Sequence, residues 1–138
     1  MSRAREALER LRAAAQDGRL AELARRHRIR ILGVFGSTLD PDWPDPHDLD
    51  IAVEFKRDTD YDVFALMNDL MELTRFDDID IMNLSRAYEK PVARTSGLVG
   101  EPLYESEPGA YAAAQLHAVR ERMDTTWLRR LELEVLAS

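Results

Sequence analysis

The chain has 138 residues, 45% of them hydrophobic and 33% charged, with a net charge of -7. That length and composition suit one folded domain spanning 1–138, and they exclude a disordered or fibrous chain. No apolar run reaches the roughly 18 residues needed to cross a bilayer, and the first fifteen residues lack a signal-peptide core, so the expected location is cytoplasmic. Cysteine is absent, which removes disulfides and thiolate chemistry and leaves carboxylates and three histidines to hold any metal, a set that favours a hard cation.

The charge is uneven. Residues 1–30 carry nine Arg against four acidic groups, a balance of +5, which leaves -12 for the rest. An acidic body with a pI near 5.0 lacks the broad basic footprint of a nucleic-acid binder, so direct nucleic-acid binding is not expected.

In chain order, residues 2–27 are predicted to be helical, with Ser2 as N-cap, Ala7, Leu8, Leu11, Ala14 and Ala15 at helical spacing, and a break at Asp17-Gly18. Residues 29–35 form a short apolar run ended by Gly36-Ser37, the mark of a first strand. Three Pro and three Asp within 38–47 make a loop. Residues 48–55 alternate, with Leu49, Ile51, Val53 and Phe55 on one face and Asp48, Asp50, Ala52 and Glu54 on the other. The apolar face must lie on the core, which puts the carboxylates on the face away from that packing.

A helix is predicted from an Asp60 N-cap to Thr74, and a third strand over 79–84. A further helix is expected over 92–99, then an extended piece near Leu103 and Tyr104. Pro108 opens a helical tail over 108–138, restarting at Asp124-Thr125 and exposing a Trp127, Leu128, Leu131 patch. The expected class is α+β, a small mixed sheet flanked by helices.

Asp48 and Asp50 are two apart on a strand and project to the same side, so they can grip a divalent cation together. Such carboxylates serve phosphoryl transfer by holding Mg²⁺ against phosphate oxygens, and Mg²⁺ takes only a few protein ligands beside its waters and the substrate. A lone D-x-D also decorates ordinary solvent-facing strands. Two features distinguish this one: Gly36-Ser37 closes the preceding strand where amides and a hydroxyl can cradle phosphates, and Asp80 on the third strand offers a third carboxylate, able to bind metal or accept a proton.

Gly36-Ser37, ten residues, then Asp48-Leu49-Asp50 form a GS-x10-D-x-D pattern. On these residues, with their flanking strands and Asp80, residues 29–84 resemble the minimal nucleotidyltransferases of the polymerase-beta-like superfamily. The run from Ile81 to Tyr104, with Asn83-Leu84-Ser85-Arg86-Ala87 and Gly100 to Tyr104, also resembles the MNT-type antitoxins paired with HEPN toxins. The resemblance implies that Gly36, Ser37 and the adjoining Thr38 bind the nucleotide, that Asp48 and Asp50 hold Mg²⁺ (or Mn²⁺), and that Asp80 is a third ligand and possible base. In many members a basic residue follows Gly-Ser, where Thr38 stands here. It further implies transfer of AMP from ATP to a tyrosine of a cognate HEPN ribonuclease, in a hetero-oligomeric complex. HEPN ribonucleases carry an R-x(4 to 6)-H motif that none of His27, His47 or His117 completes, so the chain is not the toxin.

Other readings fit less well. An EF-hand starting at Asp40 would place Asp45 where Gly is required and Ile51 where Glu is required. Ser37 has no general base near it in sequence except His47, which leaves no Ser-His-Asp triad. The alternative of another class is a binding module that neutralises its partner by occlusion, through the Arg-rich first helix or the Trp127 patch.

Overall fold

The computed structural model describes residues 2–85 and 97–137, with the side chains of 121–129, 131, 132 and 137 left outside the description. Helix α1, Arg3–Asp17, starts where the Ser2 hydroxyl accepts the Arg5 amide at 3.1 Å. It buries Ala4, Ala7, Leu8, Leu11 and Ala14, one stripe at helical spacing. Gly18 has φ +93°, a left-handed conformation that ends α1, and α2, Arg19–Arg26, follows at once. The break foreseen at Asp17-Gly18 is therefore present.

Strands β1, Ile29–Phe35, and β2, Leu49–Phe55, are antiparallel. Helix α3, Val63–Thr74, crosses from β2 to β3, Ile79–Asn83, which runs parallel to β2, as such a crossover requires. Strand β4, Glu101–Glu105, pairs antiparallel with the other side of β1. The sheet order is β3-β2-β1-β4, and the mixed α+β sheet matches expectation. The N-cap of α3 lies two residues after the predicted Asp60, because Asp62 is the residue whose carboxylate accepts the Ala65 amide, at 3.1 Å.

One face of the sheet lies on α1, α2 and α3, with Leu49, Ile51, Val53 and Phe55 among the buried residues. The opposite face is not left to solvent either. Ala52, Ile31, Leu84, Leu98, Ala110, Tyr111, Ala114 and Ala118 form a second core there, which buries Ala52 and Glu54 and leaves the carboxylates only the end of that face. A bulge at Arg30 makes this possible: Ile29 pairs with Phe55 but Ile31 with Glu54, so two isoleucines two apart feed opposite cores.

Helix α4, Ala110–Ala137, is capped by Glu105, whose carboxylate accepts the amides of Gly109 at 3.3 Å and Tyr111 at 3.1 Å. It runs unbroken through Asp124-Thr125, contrary to the predicted restart. Neither residue is a Gly or Pro, and Asp or Thr inside a helix costs under about 0.7 kcal/mol. The Trp127, Leu128, Leu131 patch lies outside the described side chains, and of the helix expected over 92–99 only Gly97 and Leu98 are described, both helical. Among the described residues, no helix is long and apolar enough to cross a membrane.

Candidate active site at the end of the sheet

Asp48 stands just before β2, Asp50 is its second residue, and the parallel register sets Asp50 beside Asp80 on β3. The Leu49 amide donates to the Asp78 carbonyl at 2.9 Å, which fixes the two strands at this end. One oxygen from each of Asp48, Asp50 and Asp80 lies within 4.8 Å of the others. The three residues singled out from the sequence thus converge on one point.

Asp50 is half-buried between two exposed partners. Burial pushes its carboxyl up to about 6, and the charges of Asp48 and Asp80 push in the same direction. Three acceptor-only groups this close, with no cationic side chain paired to any of them among the described residues, form a donor set for a hard divalent cation.

Gly36 follows β1 directly, where Phe35 pairs with Asp50. Its φ of +87° with ψ -156° is a region essentially restricted to glycine. A Cβ there would also sit 2.2 Å from Asp50 Oδ2, so backbone and carboxylate touch where only a hydrogen fits. Ser37–Leu39 then form one 3₁₀ turn, with the Leu39 amide donating to the Gly36 carbonyl at 3.2 Å and the Asp40 amide to Ser37 at 3.1 Å. Ser37 is half-buried at the rim. Thr38 is only 6% exposed, and its hydroxyl has no hydrogen-bond partner among the described residues, so its side chain packs inward.

One contributor escaped the sequence reading. Arg5, on α1, donates from Nη2 to the carbonyls of Asp40 at 3.0 Å and Trp43 at 2.5 Å. It ties down the loop that joins the Gly-Ser turn to Asp48. Nothing in the sequence singled out Arg5 from the eight other arginines of 1–30, since its role exists only once α1 packs beside that loop. His47 is exposed in the same loop.

The family model described as polymerase beta, nucleotidyltransferase, matches residues 19–108, a span holding all six candidate residues. The chain belongs to that family. As a member it is a nucleotidyltransferase. Among solved structures, a chain of a toxin-antitoxin complex with AMP-PNP is similar at 17% identity and a TM-score of 0.63, covering 88% of this chain and 98% of that one. The complex of a tri-AMPylated Shewanella oneidensis HEPN toxin with its MNT antitoxin is similar at 16% identity and a TM-score of 0.60, covering 92% and 99%. The toxin-antitoxin complex MntA-HepT is similar at 16% identity and a TM-score of 0.58, covering 88% and 96%. These likenesses establish the same fold. No curated protein sequence matches the chain.

Proposed function

We propose that this nucleotidyltransferase is an MNT-type antitoxin that transfers AMP from ATP to a tyrosine hydroxyl of a cognate HEPN toxin, and that it acts in the cytoplasm as a single domain. The convergence of Asp48, Asp50 and Asp80 beside Gly36 carries the reading. The AMP-PNP and tri-AMPylated states of structurally similar complexes support its substrate and acceptor.

The residues divide the work. Asp48 and Asp50 hold Mg²⁺, with Mn²⁺ as a substitute, and Asp80 completes the ligand set. When bound, the cation neutralises charge on the phosphates and on the leaving pyrophosphate. Gly36 lets the chain approach the triphosphate closely, while the Ser37 hydroxyl and the amides of the 3₁₀ turn donate to its oxygens; Thr38 contributes through its amide, its side chain being buried. The acceptor oxygen attacks the α-phosphorus in line, the bond from that phosphorus to the bridging oxygen of pyrophosphate breaks, and the hydroxyl proton passes to Asp80.

A second reading, neutralisation by occlusion, is favoured by Leu116, Leu133 and Leu136, which stand exposed along α4. One experiment separates the two: the chain is incubated with Mg²⁺, α-labelled ATP and its co-expressed neighbour. Label on the neighbour that disappears with Asp48→Asn, in a complex that still forms, supports transfer. A stable, protective complex without label from any of the four nucleotides supports occlusion.

A further inference from the structure

Helix α1 precedes the span that matches the family model, residues 19–108, yet three of its arginines reach segments at the sheet end where the carboxylates stand. Arg12 pairs with Glu101, the first residue of β4, through two bonds of 2.8 Å. Arg10 donates to the carbonyl of Thr74, the last residue of α3, at 3.0 Å. Arg5 donates from Nη2 to the carbonyls of Asp40 at 3.0 Å and Trp43 at 2.5 Å.

The three candidate ligands are not held alike. Asp50 and Asp80 lie within β2 and β3 and stand opposite each other in the parallel register, so the ladder fixes their backbones. Asp48 precedes β2, is exposed, and ends a loop in which 40–45 are all exposed. The bonds inside that loop are local: the Asp42 amide donates to Asp40 Oδ1 at 2.9 Å, and the Trp43 amide to the Asp40 carbonyl at 3.1 Å. They close a turn without fixing where it sits. Arg5 fixes it, because its planar, permanently charged guanidinium holds two carbonyls of that turn at once. Pro41, Pro44 and Pro46 lock φ at their own positions and restrict the residues before them, so a shift of 40–43 is carried on to Asp48 rather than absorbed on the way.

We propose that Arg5 is a positioning residue for the metal site: by clamping the loop onto α1 it sets where the Asp48 carboxylate stands, and with it the affinity for a divalent cation. This rests on the reading of Asp48 as a metal ligand. Mg²⁺ demands near-ideal octahedral geometry, so a displaced carboxylate is a poor ligand. Groups that orient a ligand from behind typically govern metal affinity by about 10- to 100-fold. Loss of the Arg5 clamp leaves Asp50 and Asp80 in the ladder, so the site is weakened rather than abolished, and excess metal refills it.

The test titrates the full chain with Mn²⁺ and follows the electron paramagnetic resonance signal of the free ion, which reads binding without turnover. Arg5→Ala is expected to weaken Mn²⁺ binding about tenfold or more. Arg5→Gln, whose single amide reaches one carbonyl at most, is the milder variant and should weaken binding in the same direction by a smaller factor. Arg12→Ala releases the same helix from β4 without touching the loop, and should bind Mn²⁺ as the wild type does. In label transfer to the co-expressed neighbour, Arg5→Ala should raise the Mg²⁺ concentration for half-maximal rate by the same factor and regain the wild-type rate at saturating Mg²⁺. Wild-type Mn²⁺ affinity in Arg5→Ala and Arg5→Gln overturns the proposal. Equal weakening in Arg5→Ala and Arg12→Ala also overturns it, since a general loosening of α1 gives that result. Failure of the underlying reading looks different: Asp48→Asn then binds Mn²⁺ as tightly as the wild type.

Discussion

Asp50 and Glu54 stand on the same strand and the same face of the sheet, four residues apart, yet their surroundings are opposite. Glu54 lies over the second core at 4% exposure, with Arg30 Nη1 3.8 Å from its carboxylate. Arg30 reaches it because it is the extra residue of the β1 bulge. Asp50 has Asp48 and Asp80 for neighbours and a carboxyl pushed up to about 6. One end of the strand carries its countercharge within the fold, and the other has only like charges beside it. A buried carboxylate with a fixed partner is compensated within the fold; a cluster of like charges is disfavoured on its own.

The largest expected effect breaks this symmetry through activity. Asp50→Asn should lower the rate of label transfer about a thousandfold, roughly 4 kcal/mol of transition-state stabilisation. Glu54→Gln should leave the rate within a few-fold of wild type. Equal losses in the two variants, by the same labelling assay, would mean that the difference between the ends is not functional.

Next in size is ligand-linked stability. Mg²⁺ with ATP at about a hundred times Kd should stabilise the wild-type chain by about 2.7 kcal/mol in denaturant unfolding. Glu54→Gln should retain that gain and Asp50→Asn should lose most of it. Gly36→Ala should cost about 2 kcal/mol without any ligand, from the forbidden φ and from the contact with Asp50. Glu54→Gln should cost slightly less, about 1.5 kcal/mol, by weakening a charged contact at a buried position.

Residues differ in how plainly the sequence announces their place. The alternation of 48–55 exposed the carboxylate face directly, because strand period and side-chain chemistry coincide there. Gly36-Ser37 was legible because a turn after an apolar run narrows the backbone to a few conformations. The second core was not: it depends on Ala110, Tyr111, Ala114 and Ala118 folding back over a face already marked by Asp48 and Asp50, and on a bulge at Arg30 that no local pattern signals. Tyr111 illustrates the point. It packs against Gly33, where a Cβ would come 2.1 Å from its hydroxyl, a fit between residues 78 positions apart. Arg5 is similar, one arginine among nine in 1–30, distinguished only by the two carbonyls it meets. Long-range packing decided these positions, and long-range packing has no period.

The smallest effect is the most direct probe of the comparison, because it needs no partner and no nucleotide. The Asp50 carboxyl, ordinarily near 3.8, is pushed up to about 6 in the folded chain by burial and by two carboxylate neighbours. Below pH 3.8 the group is protonated in both folded and unfolded states and has no effect. Between 3.8 and 6 the unfolded chain gives up the proton while the folded chain keeps it, so this group's contribution to stability falls as pH rises, and above 6 the loss is complete. Asp50→Asn removes the group, so in metal-free buffer the variant should be the more stable chain at pH 7, with the advantage shrinking to nothing near pH 4. Millimolar Mg²⁺ should shrink the same advantage at pH 7, since a cation among the three carboxylates favours their ionised forms. Urea titrations of both chains at several pH values, with and without Mg²⁺, measure the difference directly. A variant no more stable than wild type at pH 7 would mean that the charges of Asp48 and Asp80 are already compensated in the free protein, and the contrast with Glu54 would disappear.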